Sequence, residues 1–129
     1  MDAVKRMSTF KTLVRILFAA FFLFAGVSHF TNRAFFIAIV PPYLPRPEAL
    51  VAISGVAEIL LGALLIVPRT SQLAGWGLIA LLVAVFPANI HMAMHPELYP
   101  TMSPMALVIR LPVQGVLVAL AYWFARAKR

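Results

Sequence analysis

The sequence predicts an all-α integral membrane protein built as a four-helix bundle. Of its 129 residues, 63% are hydrophobic and 12% are charged, whereas soluble domains average ~45–50% apolar and ~25% charged residues. A soluble domain of this length buries only ~60–70% of the surface that its unfolded chain exposes, which is too little to hide so much apolar surface. The same composition excludes a disordered chain, because disordered segments are poor in apolar residues.

Four stretches have the ~20 mainly apolar residues that a helix needs to cross ~30 Å of hydrocarbon. The predicted spans cover about residues 12–30, 47–67, 72–93 and 105–125. The first span follows basic residues, as the apolar core of a signal peptide does, but it is long and no clear small-residue cleavage site follows it. We therefore interpret it as a retained signal-anchor helix and residues 1–129 as a single four-helix transmembrane domain.

The connections between the spans differ in length and character. Residues 68–71 (PRTS) predict a tight hairpin, which makes the second and third spans adjacent and antiparallel. Residues 31–46 are longer and contain an apolar run at 34–40 that is too short to cross the membrane. Because a pair of prolines ends this run, we expect a re-entrant or interfacial segment that caps the bundle. Residues 95–104 carry three prolines and no extended apolar run.

The basic residues predict the orientation in the membrane. An even number of spans places both termini on one side, and cytoplasmic loops carry an excess of Lys and Arg. With both termini cytoplasmic, that side holds eight basic residues outside the span centres and the opposite side holds two. The eight are Lys5, Arg6, Lys11, Arg15, Arg69, Arg126, Lys128 and Arg129, and the two are Arg33 and Arg46.

The net charge of +7 does not indicate nucleic-acid binding, because the charges lie at the ends of apolar runs. That distribution is typical of membrane orientation and of contact with anionic head groups. The chain has no cysteine, which excludes disulfides, thiol redox chemistry, thiolate metal sites and cysteine nucleophiles.

Two ionisable side chains fall inside predicted spans, Glu58 near the middle of the second and Arg110 in the fourth. Such a group costs ~2.5–3.5 kcal/mol at the centre of a membrane helix on insertion scales, so it needs a partner. We expect Glu58 and Arg110 to form an ion pair between these two spans. Two interpretations stay open: a pair that only holds the helices in register, and a pair that belongs to a functional site.

Further polar side chains lie one helical turn from this pair or near the outer ends of the first and third spans. Together they predict a polar, partly irregular pocket that opens outward from the bundle core. The candidate residues of this pocket are Glu58, Arg110, His29, Asn89, His91, Gln114 and Ser54. The uncharged members could equally serve as interhelical hydrogen bonds alone. A metal site built from His29, His91 and Glu58 lacks a supporting motif, so we expect none.

Pro87 and Pro112 interrupt the third and fourth spans. Each lacks the N–H that would bond the carbonyl four residues earlier, at Val83 and Val108. Inside a bilayer a freed carbonyl needs another donor, which a nearby Asn, Gln or Arg can supply. We therefore expect a kink beside a polar side chain in each of these helices.

Four segments in order, AGVSHF, PPYLPRP, SGVAEILLGALLIVPR and VFPANIHMA, resemble the DoxX-like membrane proteins. The resemblance covers about residues 24–93 and implies a four-helix, multi-pass protein of the bacterial inner membrane. Relatives in that family have been linked to redox complexes or to membrane-protein assembly. The family's recurring histidine, glutamate and proline–asparagine positions look like His29, Glu58, Pro87 and Asn89 here.

Three functional hypotheses stay open. The first is a small subunit or accessory module whose pocket holds a lipophilic ligand such as a quinone. The second is a quinone-linked oxidoreductase subunit in which Glu58 or His29 handles protons, although no flavin, haem or iron–sulfur motif accompanies these residues. The third is a purely structural or assembly protein. The expected partners are the lipid bilayer, a lipophilic small molecule and proteins of a membrane complex, with no nucleic acid.

Overall fold

The computed structural model describes residues 3–126, with side chains from residue 8 onward. Four long helices account for most of it: α1 (Ala3–Thr31), α3 (Pro47–Ile66), α4 (Ser71–Met94) and α5 (Pro104–Ala125). A short helix, α2 (Arg33–Ala38), follows α1, and a single 3₁₀ turn (Pro96–Leu98) precedes α5. Of the basic residues counted above, Lys128 and Arg129 lie outside the described residues, as do the side chains of Lys5 and Arg6.

The prediction of an all-helical chain with four helices long and apolar enough to cross a membrane is confirmed for the described residues. Much of each helix surface is apolar and points away from the bundle. Phe24 is 74% exposed, Met105 71% and Leu73 68%. Such surfaces are costly in water but are suited to contact with hydrocarbon chains.

The helices are arranged so that α1 packs against α3, α3 against α4, and α4 against α5. Phe18 of α1 and Phe124 of α5 bring the first and last helices together, with ring centroids 5.4 Å apart. The order around the bundle is therefore α1, α3, α4, α5, with α3 and α5 diagonally opposite. The bundle has two ends, which we call the hairpin end, where the connection from α3 to α4 lies, and the α2 end.

Glycine residues allow the close approach of α1 to α3 and of α4 to α5. A Cβ on Gly26 of α1 would lie 2.8 Å from the carbonyl oxygen of Gly55 of α3, and a Cβ on Gly55 would lie 2.8 Å from the Cβ of His29. A Cβ on Gly75 of α4 would lie 2.8 Å from the carbonyl oxygen of Ala121. Small residues allow close helix approach inside membranes, where van der Waals packing drives association.

At the hairpin end, side chains cap the last carbonyl groups of α3. The Arg15 guanidinium donates to the carbonyls of Leu65 and Ile66, the latter at 2.9 Å. The Thr70 hydroxyl donates to the carbonyl of Leu64 at 2.6 Å. These bonds satisfy groups that a helix end leaves without an intrahelical partner. The tight turn into α4 is thereby fixed.

The connection between α1 and α3 packs over the α2 end of the bundle. Ile39 is buried against Met92 of α4, Tyr99 and Leu107 of α5. The Tyr99 hydroxyl donates to the carbonyl of Ala38 at 3.4 Å. The connection then enters α3 through Arg46, whose φ of 52° is the single positive value among non-glycine residues in the described part of the chain.

Candidate functional site

A cavity of about 350 Å³ lies between α3 and α4 toward the α2 end. The turn at residues 67–70 joins these two helices at the hairpin end. The cavity lies between their other halves, away from that turn. Its walls are mostly apolar side chains of both helices and of residues 36–44. Its polar groups come from α1, α3, α4 and α5. The lining polar residues are His29, Ser54, Glu58, Asn89 and Arg110.

One wall of the cavity follows directly from helical periodicity. Leu50, Ile53, Ser54, Ala57 and Glu58 all line it, and their spacing of three, four, seven and eight residues places them on one face of α3. Of these residues, Glu58 is buried deepest, with 8% exposure, whereas Ile53 at the rim is 66% exposed.

Glu58 lies beside His29 but is not hydrogen-bonded to it. The His29 Nδ1 atom is 3.6 Å from Glu58 Oε1 and 2.8 Å from the carbonyl oxygen of Ala25. Because a carbonyl oxygen only accepts, Nδ1 carries a proton and donates it within α1. Glu58 Oε1 is buried without a hydrogen-bond partner, and it is the single such side-chain atom among the described residues. The cavity therefore contains an acceptor that the protein leaves unsatisfied.

Phe36 of α2 covers His29. The two rings are stacked, with centroids 4.1 Å apart and an interplanar angle of 19°. Since both residues also line the cavity, this contact joins the connection after α1 to the cavity wall. The orientation of the imidazole is thus fixed on one side by Phe36 and at Nδ1 by Ala25.

Arg110 begins a chain of hydrogen bonds that joins α5 to α4. Its Nε donates to Asn89 Oδ1 at 3.1 Å. The Asn89 amide donates to Gln114 Oε1, and the Gln114 amide donates to the carbonyl of Leu82. Each side-chain amide in this series accepts one hydrogen bond through its oxygen and donates one through its nitrogen. The bonds therefore all run in the same direction, from Arg110 to the carbonyl of Leu82.

The chain of bonds ends close to Pro87, which lies inside the continuous helix α4. The sequence predicted that Pro87 would free the carbonyl of Val83 and that a nearby amide would supply a donor. In the structure the Gln114 amide bonds the preceding carbonyl, that of Leu82. Pro87 does lie inside α4, and Pro112 lies inside α5. Gln114 thus bridges the two proline-containing helices, α4 and α5, one helical turn before Pro87.

The prediction that Glu58 and Arg110 form an ion pair was wrong. Among the described residues, the acidic side chains that lie close to a basic one are Glu58, 3.6 Å from His29, and Glu97, 3.4 Å from His95. Arg110 bonds Asn89 instead. The reason is the helix order: α3 and α5 are diagonal neighbours with α4 between them, so the two charges face a common cavity without touching. The cost of placing Arg110 in the bundle is offset by a neutral amide.

The remaining predicted site residues have different positions. Ser54 lines the cavity and donates to the carbonyl of Val51 at 3.1 Å. Gln114 is 4% exposed, does not line the cavity, and accepts a hydrogen bond from Asn89, which does. His91 lies apart from the cavity, with its ring 4.7 Å from that of His95 and 6.4 Å from that of Tyr99. In the part of the chain that the structure describes, no three His, Asp or Glu side chains are placed to hold a metal ion.

Sequence reasoning missed the contribution of the connection after α1. Phe36, Ile39, Pro41 and Leu44 all line the cavity, although the sequence indicated only that this connection caps the bundle. The apolar run at 34–40, ended by two prolines, was the available signal. It did not indicate which helices the segment would contact.

Comparison of the chain with curated proteins gave no match, and comparison with solved structures gave none either. One family model matches residues 18–125, a region that runs from the middle of α1 to the end of α5 and includes every residue of the cavity. Its description is "Domain of unknown function (DUF8561)". Because the match covers most of the chain, the protein belongs to the DUF8561 family.

Proposed function

We propose that the protein is a multi-pass membrane protein that binds a lipid-soluble molecule with a polar head group in the cavity between α3 and α4. The observation that carries the proposal is the composition of the cavity: apolar walls around a few convergent polar groups. Small-molecule sites commonly have this character and volumes of ~300–1,000 Å³. The rim residue Ile53 lies on the exposed surface of α3, so a ligand would enter sideways from the hydrocarbon.

The ligand class that suits the cavity best is a quinone-type ring with an apolar tail. Its ring oxygens would accept hydrogen bonds from Arg110, while its tail would follow the apolar rim toward the lipid. The resemblance to DoxX-like proteins, some of which are linked to redox complexes, is consistent with this class. We propose that the protein acts as a small subunit or accessory module of such a membrane complex.

The orientation belongs to the same proposal. The excess of basic residues at the termini and the hairpin end favours the cytoplasmic side of the bacterial inner membrane for that end of the bundle. The α2 end and the cavity would then lie in the outer half of the bilayer. Residues 32–46 would form an interfacial or re-entrant segment over it.

A second candidate function is favoured by one contact. His29 and Glu58 lie 3.6 Å apart in the cavity, and such a pair can take up and release protons inside a membrane. This arrangement would suit a subunit of a quinone-linked oxidoreductase. Purified protein that oxidises or reduces an added quinone in the presence of an electron-transfer partner would favour this candidate over simple binding.

A pair of variants of the same helix tests the proposed function. Ala57 lines the cavity, whereas Ala63 is exposed on another part of α3. We expect Ala57→Phe to fill the cavity and Ala63→Phe to leave it open. The measurement is the amount of lipid-soluble ring compound extracted per mole of purified protein. The wild type and Ala63→Phe should retain it, and Ala57→Phe should lose it. Equal amounts in all three proteins would contradict the proposal.

A further inference from the structure

The unsatisfied oxygen of Glu58 restricts what the cavity can bind. Glu58 is 8% exposed, and its Oε1 has no hydrogen-bond partner. His29 Nδ1 lies 3.6 Å from this oxygen and gives its proton to the carbonyl of Ala25. Leaving a buried acceptor unpaired is costly, and the cost is recovered when a ligand supplies a donor. The side chain faces a cavity with room for such a ligand.

Arg110, which also lines the cavity, offers hydrogen-bond donors where Glu58 offers an acceptor. Arg110 uses its Nε for Asn89, and its two terminal nitrogens make no hydrogen bond to any described residue. The Asn89 amide is already committed to Gln114. The cavity therefore offers donors at Arg110 and an acceptor at Glu58. A head group that matches both must accept at one place and donate at another.

A quinone ring carries only acceptors. Its carbonyl oxygens could accept from Arg110, but one of them beside Glu58 Oε1 would place two lone pairs against each other. A hydroquinone, the two-electron reduced form of the same ring, carries two hydroxyl groups. One hydroxyl can donate to Glu58, and the oxygen of the other can accept from Arg110.

Resting on the proposed function, we infer that the cavity selects the reduced, hydroxyl-bearing form of a lipid-soluble ring, with Glu58 accepting the hydrogen bond from a phenolic hydroxyl. The ring enters between α3 and α4, Arg110 holds the oxygen nearer α5, and Glu58 holds the oxygen nearer α1. The selectivity arises from the head group, because the tail and the apolar walls are the same for both redox forms.

Three probes share the same ring carbons and the same short alkyl tail and differ only in the groups on the ring. They are a benzoquinone, the corresponding hydroquinone handled under anaerobic conditions, and the dimethyl ether of that hydroquinone. Binding to the full-length protein in lipid nanodiscs is measured by calorimetry. We expect the hydroquinone to bind about ten- to a hundredfold more tightly than the quinone or the ether, because only the hydroquinone gives the buried Glu58 acceptor its missing donor.

Glu58→Met removes the acceptor and keeps a side chain of similar length. This variant should bind the hydroquinone no more tightly than the ether, with the affinity for the ether unchanged. Glu48→Met is the matched control, because Glu48 lies on the same helix, is exposed and does not line the cavity. Glu58→Gln, which keeps an oxygen acceptor, should retain part of the selectivity and serves if the methionine variant does not fold.

The outcomes separate the two proposals. If none of the probes binds, the proposed function is wrong and this inference fails with it. If the quinone or the ether binds as tightly as the hydroquinone, or if Glu58→Met keeps the selectivity, the cavity binds lipid-soluble rings but Glu58 does not select the reduced form. Tighter binding of the quinone would mean that Glu58 donates rather than accepts.

Discussion

Among the individual residues, Glu58 is buried at a cost for folding, and we propose that ligand binding offsets this cost. Its burial without a hydrogen bond for Oε1 is the kind of local conflict that proteins retain at functional sites. Arg110, by contrast, is hydrogen-bonded to Asn89 of the neighbouring helix.

We therefore expect Glu58→Met to stabilise the ligand-free protein, because it removes the unsatisfied acceptor. The gain should be about 1 kcal/mol or more, the lower range of the cost of an unpaired buried polar group. Thermal unfolding in detergent, followed by the fluorescence of Trp76 and Trp123, measures it. A lower midpoint than that of the wild type would show that Glu58 is satisfied in the folded protein.

Asn89 has the opposite character, since its amide accepts from Arg110 and donates to Gln114. Asn89→Leu would leave both neighbours unpaired inside the bundle, and we expect a loss of about 2 kcal/mol or more. Combined with Gln114→Leu, the loss should be smaller than the sum of the two single losses, because the broken partners are then removed together. Strictly additive losses would contradict a coupled network.

The residue scale also shows what sequence reasoning could and could not provide. The insertion cost of an ionisable group indicated that Glu58 and Arg110 each need a partner, but not which residue supplies it. Electrostatics made each the preferred partner of the other, whereas the helix order placed Asn89 next to Arg110 and His29 next to Glu58. The choice among available partners depends on which helices are neighbours.

At the scale of the elements, the close contact between α1 and α3 positions the site. Gly26 and Gly55 allow the two backbones to approach, and this approach brings His29 to Glu58. The glycine positions are visible in the sequence, yet their pairing across two helices separated by the α2 connection is not. The same holds for α4 and α5, which meet at Gly75.

Gly55→Ala should separate α1 from α3, because the new methyl group would lie 2.8 Å from the Cβ of His29. We expect a loss of about 1–3 kcal/mol, typical of overpacking, together with weaker ligand binding. Gly115→Ala is the control, since a Cβ there meets nothing within 4 Å and alanine favours a helix by ~1 kcal/mol. Equal stability of the two variants would contradict a glycine-dependent contact.

For the whole molecule, the proposed orientation decides from which half of the bilayer the proposed ligand would reach the cavity. Because the chain has no cysteine, single cysteines can report accessibility without background. Arg69 lies in the hairpin and Thr101 lies at the α2 end, both exposed. We expect Thr101→Cys to react with a membrane-impermeant maleimide on intact cells and Arg69→Cys to react only after permeabilisation. The reverse pattern would invert the proposed orientation.

The class of protein, the number of long helices and their approximate positions could all be predicted from the amino-acid sequence. The reason is that the hydrocarbon thickness sets a minimum length for an apolar helix, and this requirement is local to each segment. The polar residues inside the apolar helices could be identified in the same way, because the cost of transferring each side chain from water into hydrocarbon depends first on the side chain itself. Three features became visible only in the folded structure: α3 and α5 are diagonal, Arg110 bonds Asn89, and the connection between α1 and α3 lines the cavity. These features depend on contacts between distant segments, and helix packing in a bilayer is governed by shape and small residues rather than by hydrophobic pattern.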